Sequence, residues 1–212
     1  MVSMKLSIPF YERGSNCGSN ALRMVAAYFG KIVSENYIRN AGEMGPDELT
    51  NTIGLAIAAA EMGFTPRLLS KYSEFNRDDL DLEWYKELPP HDIQKFARLA
   101  KDRKIEIEKR IMSLDEVLSF ANRDSVPIVA IDADMLSVLP RGTFVGHAVT
   151  VVGYDVENVF VHDGEPFEAI CRGPFDKARR ARGTEEDVLV VYRNKEARSN
   201  DNRLATRPPS GP

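Results

Sequence analysis

Cys17 lies in the polar stretch Gly14-Ser15-Asn16-Cys17-Gly18-Ser19-Asn20, directly ahead of a strong helical pattern. Far downstream, Gly146-His147 opens an apolar strand pattern, and Asp163 ends the strand pattern after it. A thiol nucleophile needs this ordered set: a cysteine, an imidazole base and a carboxylate to orient the base. A helix N-terminus suits the cysteine, because its free N–H groups and dipole favour the thiolate, which is the attacking species. A free cysteine also packs as a small hydrophobe. Here its neighbours form a polar loop and helix cap, not a core segment.

Taken alone, His147 reads equally as a buried histidine at a strand start, and Asp163-Gly164 as a common turn. Their spacing links them. If the two oppose each other on antiparallel strands, the midpoint is Asp155 and the loop runs from Gly153 to Glu157. A tighter turn over Asp155 to Asn158 instead sets Asp163 opposite Thr150, roughly 10 Å along the strand from His147. Both registers are open to the sequence. His162 should face away from Asp163, so it is not assigned as the base.

The elements that must hold these residues follow from periodicity. Ala21, Leu22, Val25, Ala26 and Phe29 share a helical face, which predicts a helix from about Cys17 to Phe29, stopped by Gly30. A short helix is expected around Ser34 to Asn40. Pro46 and Asp47 open another, with Ile53, Ile57 and Ala60 on its apolar face and Gly63 at its end. Phe64 to Ser70 reads as a strand. Residues 71–90 read as an acidic, partly helical insertion outside the catalytic core, either a cover for one end of the cleft or a surface excursion. His91 to Lys101 should be a helix burying Ile93, Phe96, Ala97 and Ala100, and Ile105 to Glu108 alternate like a half-exposed strand. Ser113-Leu114-Asp115-Glu116 is a capping box. Four apolar runs then follow: Val126 to Ile131, Val145 to Tyr154, Val159 to Val161, and Val188 to Tyr192. A helix from Gly173-Pro174 to Gly183 separates the last two. The layout is α+β, with a helical N-terminal half packed on an antiparallel sheet from the C-terminal half.

Composition narrows the classes. A chain of 212 residues with 43% hydrophobic and 28% charged content suits one soluble domain, expected over residues 1–193. Residues 194–212 carry almost no apolar side chains and are expected to be a disordered polar tail. A net charge of -4 argues against nucleic acid and membrane surfaces as partners. Neither a signal-peptide core nor an apolar run of membrane-spanning length is present, so a cytoplasmic location is expected. Cys17 and Cys171 make no disulfide framework, and Cys171 is expected to be an ordinary buried thiol. With His91, His147 and His162 they show no CxxC or HExxH spacing, so no metal or other cofactor is expected. Lys177, Arg179, Arg180 and Arg182 read as a solvated helix face more readily than as an anion site.

Three blocks carry a resemblance to a known family. Pro9-Phe10-Tyr11-Glu12, Asn16-Cys17-Gly18-Ser19-Asn20-Ala21-Leu22-Arg23-Met24-Val25 and Tyr28-Phe29-Gly30 resemble the nucleophile region of the bacteriocin-processing, double-glycine leader peptidases. These form family C39 of the papain-like cysteine peptidases. Gly146-His147-Ala148-Val149-Thr150-Val151-Val152-Gly153-Tyr154 with Val159-Phe160-Val161-His162-Asp163 is similar to that family's histidine and aspartate region. Ser125 to Asp132 resembles the preceding strand, and Phe175 to Val191 the closing helix and strand of free-standing members. The resemblance covers most of residues 9–192, while 71–115 match poorly. It implies a papain-like fold with Cys17 as nucleophile, His147 as base and Asp163 as orienter.

One departure concerns the oxyanion. The family carries a glutamine six residues before the cysteine, where this chain has Tyr11; Glu12 fits if the loop is one residue shorter. Both are candidate donors, a carboxyl only when protonated. The reading is a cofactor-free cysteine peptidase acting on a peptide or protein substrate through an acyl-enzyme. Acyl transfer or deamidation by the same triad, and an inactive peptide-binding module, stand as the alternatives.

Overall fold

The apolar runs of the second half assemble into one sheet. A computed structural model describes residues 4–12, 14, 16–45, 50–72, 82–86 and 93–194. Its strands are β1 (Met4–Lys5), β2 (Thr65–Ser70), β3 (Glu106–Lys109), β4 (Ser125–Asp132), β5 (Gly146–Tyr154), β6 (Asn158–His162), β7 (Glu168–Cys171) and β8 (Val188–Tyr192). Across the sheet they run β3-β2-β8-β4-β5-β6-β7, with β1 on β5. Every pair is antiparallel except β2–β3. The architecture is the expected α+β, and the first half also feeds β1, β2 and β3 into the sheet.

Helices α1 (Cys17–Tyr28), α2 (Glu35–Ala41) and α3 (Thr52–Glu61) precede α4 (Glu83–Lys86), α5 (Ile93–Asp102), α6 (Leu114–Ser119) and α7 (Arg172–Arg179). Helix α1 turns Leu22, Val25 and Ala26 toward the sheet, each fully buried. Removing such a valine or leucine side chain from water is worth about 1.5–3 kcal/mol. The Thr150 hydroxyl of β5 donates to the Ala21 carbonyl at 3.2 Å, pinning helix to strand. Gly30, at φ +87°, ends the helix as expected. Helix α3 is buried along Gly54 to Ala59. A Cβ on Gly18 would lie 2.4 Å from the Thr50 hydroxyl, so only glycine lets α1 and the segment leading into α3 approach this closely.

Several boundaries differ from expectation. Helix α3 starts at Thr52, because the Asn51 side chain caps it by accepting from the Gly54 N–H at 2.6 Å. Pro46 and Asp47 lie outside the described residues. In α5, Phe96 and Ala100 are buried but Ala97 faces solvent. The Ser113–Glu116 capping box forms as read. Of the insertion, α4 is described, and Leu82 packs beside Gly183 and Phe144; His91 and residues 194–212 beyond Asn194 fall outside the description. No helix among the described residues is long and apolar enough to cross a membrane.

Candidate active site

Three elements bring Cys17, His147 and Asp163 to one end of the sheet. Cys17 is the first residue of α1, whose N-cap Asn16 accepts from the Ser19 N–H at 3.2 Å and from the Thr50 hydroxyl. The first turn carries no acidic residue to oppose a thiolate. His147 enters near the start of β5, buried to 6% exposure. The preceding loop is held by two carboxylates. Asp132 Oδ1 accepts from the N–H groups of Asp134 and Val145, and Asp134 accepts from those of Arg141 and Gly142. Asp163 follows β6 directly, and its Oδ1 lies 2.8 Å from His147 Nε2.

Neither register read from the spacing is the one formed. The tight turn over Asp155 to Asn158 is real, closed by the Asp155 N–H on the Asn158 carbonyl at 3.0 Å. A bulge at Val152 then shifts the ladder by one residue, so that Thr150 pairs His162 instead of Asp163. Continued one pair further, the ladder sets Asp163 opposite Val149, on the face that His147 shares. The contact is therefore diagonal, across about 7–8 Å of backbone that two polar side chains can span. Without the bulge Asp163 would point to the wrong face. The bulge has its own support, since the Leu6 N–H donates to the Val152 carbonyl at 2.7 Å. A Cβ on the adjacent Gly153 would meet the Met4 carbonyl at 2.2 Å, so β1 can lie here only because residue 153 is glycine.

The electrostatics of the trio are coupled. Burial alone would raise the Cys17 thiol, but its hydrogen bond to His147, the imidazolium charge and the N–H groups of Ala148 and Gly18 together hold it below the ordinary value. Burial would likewise lower His147, yet Asp163 and Cys17 push it up to about 9. Asp163 holds Nε2. The thiol is shifted down and the imidazole up, each favoured in its charged form by the other. Two further carboxylates, Glu165 and Glu168, gather near Asp163; burial, then the charges of Asp163 and Glu165, raise Glu168 above the usual carboxylate range.

The two oxyanion candidates separate in the structure. The Tyr11 ring lies under the Arg23 guanidinium at 4.0 Å, two turns along α1 from Cys17. Asn20, one turn from Cys17 and buried, donates from Nδ2 to the carbonyls of Tyr11 at 3.2 Å and Glu12 at 3.4 Å. It ties the Tyr11–Glu12 segment to the helix that Cys17 opens. Sequence reading passed over Asn20 as part of a polar loop.

A family model described as guanylylate cyclase matches residues 12–191, spanning all three site residues. The chain belongs to that family. No curated protein sequence matches it. Among solved structures it is similar to a protein described as a C39-like peptidase from Bacillus anthracis, at 13% identity and a TM-score of 0.55, over 92% of this chain and 99% of that one. It is also similar to a double glycine motif protease from an AMS/PCAT transporter, solved with its leader peptide, at 14% identity and a TM-score of 0.50, over 92% of this chain and 100% of that one. At such identity these likenesses speak to the fold. This member of the guanylylate cyclase family folds as the C39 peptidases do, as the sequence resemblance implied.

Other expectations about side chains in this family member need correction. Cys171 is exposed, not buried: it ends the edge strand β7 and occupies the N-cap position of α7. Arg179 belongs to no solvated face. It is 1% exposed, donates to the Met112 carbonyl at 2.8 Å and pairs with Asp176 at 2.6 Å. Among the described residues no group of three or more His, Cys, Asp or Glu side chains is placed to hold a metal ion. An open groove of about 550 Å³, lined by Lys31, Ile32, Tyr37 and Met62 among others, sits at the far ends of α1 and α3 from Cys17.

Asp187, just ahead of β8, is a buried carboxyl. Burial raises it to about 6 despite hydrogen bonds with Ser70 and Thr52. The folded value lies above the unfolded one, so the charge costs stability above pH 6, and the cost fades as pH falls through 6 toward 4. Asp187→Asn is therefore expected to stabilise the fold by roughly 2–3 kcal/mol at pH 7.5 and by about half as much at pH 5. Thermal melts of both proteins at the two pH values check this; equal gains at both would refute the cause.

Proposed function

We propose that the chain is a cysteine peptidase. In this reading the Cys17 thiolate attacks a peptide carbonyl, His147 protonates the leaving amine, and water clears the acyl-enzyme. The observation that carries it is the His147–Asp163 hydrogen bond at 2.8 Å, with Cys17 at the N-terminus of α1 electrostatically coupled to the same imidazole. A thiolate–imidazolium pair suits acyl carbon. The β4–β5 loop adds support for a peptide substrate: its pinned tip presents Val138 and Leu139, 96% and 82% exposed, just beyond the His147 strand. The leader peptide bound by the double glycine motif protease is a precedent for a peptide on this fold.

The family's name favours a second reading, cyclisation of a guanine nucleotide. Against it, a polyphosphate would approach a site edged by the carboxylates Asp163, Glu165 and Glu168. One experiment separates the readings. The purified chain is incubated with a peptide library, and in parallel with GTP and divalent cation, and both are read by mass spectrometry. New peptide termini that vanish in Cys17→Ala support the peptidase; amine adducts or deamidated side chains point to the same triad with another acceptor. Cyclic GMP formed equally well by Cys17→Ala would overturn the proposal.

Glu12 is the proposed side-chain donor to the oxyanion, a choice supported by the Arg23 guanidinium stacking on the Tyr11 ring. Glu12→Gln, which donates at any pH, is expected to keep or raise activity near neutrality. Glu12→Ala should lower kcat by roughly 10²–10³, and Tyr11→Phe should be nearly silent. A silent Glu12→Ala beside a crippled Tyr11→Phe would hand the role to the phenol.

A further inference from the structure

His162 sits next to Asp163 in sequence but faces the other way, 1% exposed, and the triad does not use it. Both its nitrogens are engaged. Nε2 lies 2.9 Å from the Ile8 carbonyl, and Nδ1 accepts from the Phe167 N–H at 3.1 Å. Those partners require a neutral ring with its proton on Nε2. They also belong to two separate segments that flank the candidate site. Ile8 lies on the strap that runs on to Tyr11 and Glu12, and the Phe10 ring of that strap meets His162 edge-on at 5.5 Å. Phe167 closes the turn that begins at Asp163 and feeds β7.

The turn needs such a closure. Phe167 has φ +57°, a left-handed conformation that an aromatic residue adopts at a cost of roughly 1–2 kcal/mol. Only surrounding contacts hold a residue there. Its ring packs edge-on to His162 at 4.8 Å, and Lys5 of β1 lies 5.5 Å from its face. Val161 pairs Glu168, so His162 and Phe167 are the last residues before the ladder opens into the turn. Two side chains bond across that opening: the imidazole takes the Phe167 N–H and the Glu168 carboxylate takes the Gly164 N–H.

We propose that His162 is a positioning residue, a two-sided clamp that locks the Asp163 turn to the N-terminal strap and so fixes the carboxylate on the His147 ring. The inference rests on the triad reading of the site, and goes beyond it in assigning what holds the third member in place. The charged groups around His147 are Cys17 from α1, Asp163 from the turn and Glu168 from β7. Of these, the clamp acts on Asp163.

Two substitutions split the clamp. In His162→Gln the terminal amide N–H can reach Ile8 as Nε2 does, while the acceptor for Phe167 is lost. In His162→Asn the side-chain oxygen can take the place of Nδ1, and the Ile8 bond is lost. The readout is the pH titration of the His147 ring by NMR in the full chain, assigned against His147→Ala among the three histidines. With Asp163 released, His162→Gln should drop the His147 titration from about 9 by about one pH unit or more. His162→Asn, which keeps the turn bond but frees the turn from the strap, should lower it by a smaller amount. Asp163→Asn should match His162→Gln, and combining the two should add little further change. On a cleavable peptide, His162→Gln should lower kcat about tenfold with KM retained.

If both variants lose thermal stability while His147 titrates as in the parent, His162 merely fills the core and the proposal is overturned. Should either variant fail to fold, the ¹⁵N spectrum of the unmutated chain decides: a protonated Nδ1 on His162 overturns the clamp, and an unprotonated one coupled to the Phe167 N–H supports it. The titration needs no substrate. A chain that cleaves no peptide yet shows the shifted His147 therefore sinks the peptidase reading alone. A peptidase with an unmoved His147 in His162→Gln sinks the clamp alone.

Discussion

Cys17→Ala is expected to remove peptide hydrolysis to background, a loss on the order of 10⁵–10⁶ in kcat, while Cys171→Ser leaves turnover intact. The two thiols make a sharp contrast because accessibility and ionisation point opposite ways. Cys171 is exposed on an edge strand, whereas Cys17 is partly buried. If access governed reactivity, iodoacetamide would label Cys171 first. If thiolate content governs it, Cys17 labels first, because His147 and the helix N–H groups hold its proton affinity down. The preference should show most clearly near pH 6, well below the ordinary thiol value of about 8.5. Peptide mapping after brief alkylation reads this directly. Equal labelling at pH 6, or preference for Cys171, would sink the nucleophile assignment. His147→Ala should abolish the selectivity without touching either cysteine.

The legible parts of this site were those written in short-range pattern. Asn16 and the apolar spacing after Cys17 mark the start of α1, and the apolar run after His147 marks β5. Register was not legible. From Val149 to Gly153 every residue of β5 is buried, so no polar–apolar alternation marks each face or shows where the extra residue of the bulge sits. The bulge at Val152 becomes visible only once Leu6, nearly 150 positions away, is seen donating to it. Strand β7 was missed because a four-residue edge strand alternating half-buried and exposed looks like loop, and with it went the exposure of Cys171. Buried polar residues were the other blind spot. Asn20, His162, Arg179 and Asp187 are polar letters in polar surroundings, and their partners are backbone groups or side chains far off in the chain. The stacking of Arg23 on the Tyr11 ring, which bears on the choice between Tyr11 and Glu12, is a contact the motif does not contain.

Removing the base is expected to cost more than removing its orienter. His147→Ala deprives the thiol of its proton acceptor and the leaving amine of its donor, a loss on the order of 10⁶. Asp163→Asn keeps a hydrogen-bond acceptor on Nε2 and should cost roughly two orders of magnitude less. The pH profile gives the cause. Activity needs thiolate and imidazolium together, so it should rise through the lowered Cys17 ionisation and fall as the imidazolium deprotonates near 9. Burial works against the charged ring and Asp163 works for it, so loss of the carboxylate should pull the alkaline limb down toward the free-imidazole value of about 6.5. The stability linkage has the same sign. A histidine raised in the fold contributes stability fully below about 6.5 and loses it as pH climbs through about 9. Asp163→Asn should therefore destabilise the protein more at pH 6 than at pH 9.5. An alkaline limb unmoved by Asp163→Asn, with the acid limb shifted instead, would mean that another group orients the ring. Glu168, the next carboxylate near His147, would be the first to test.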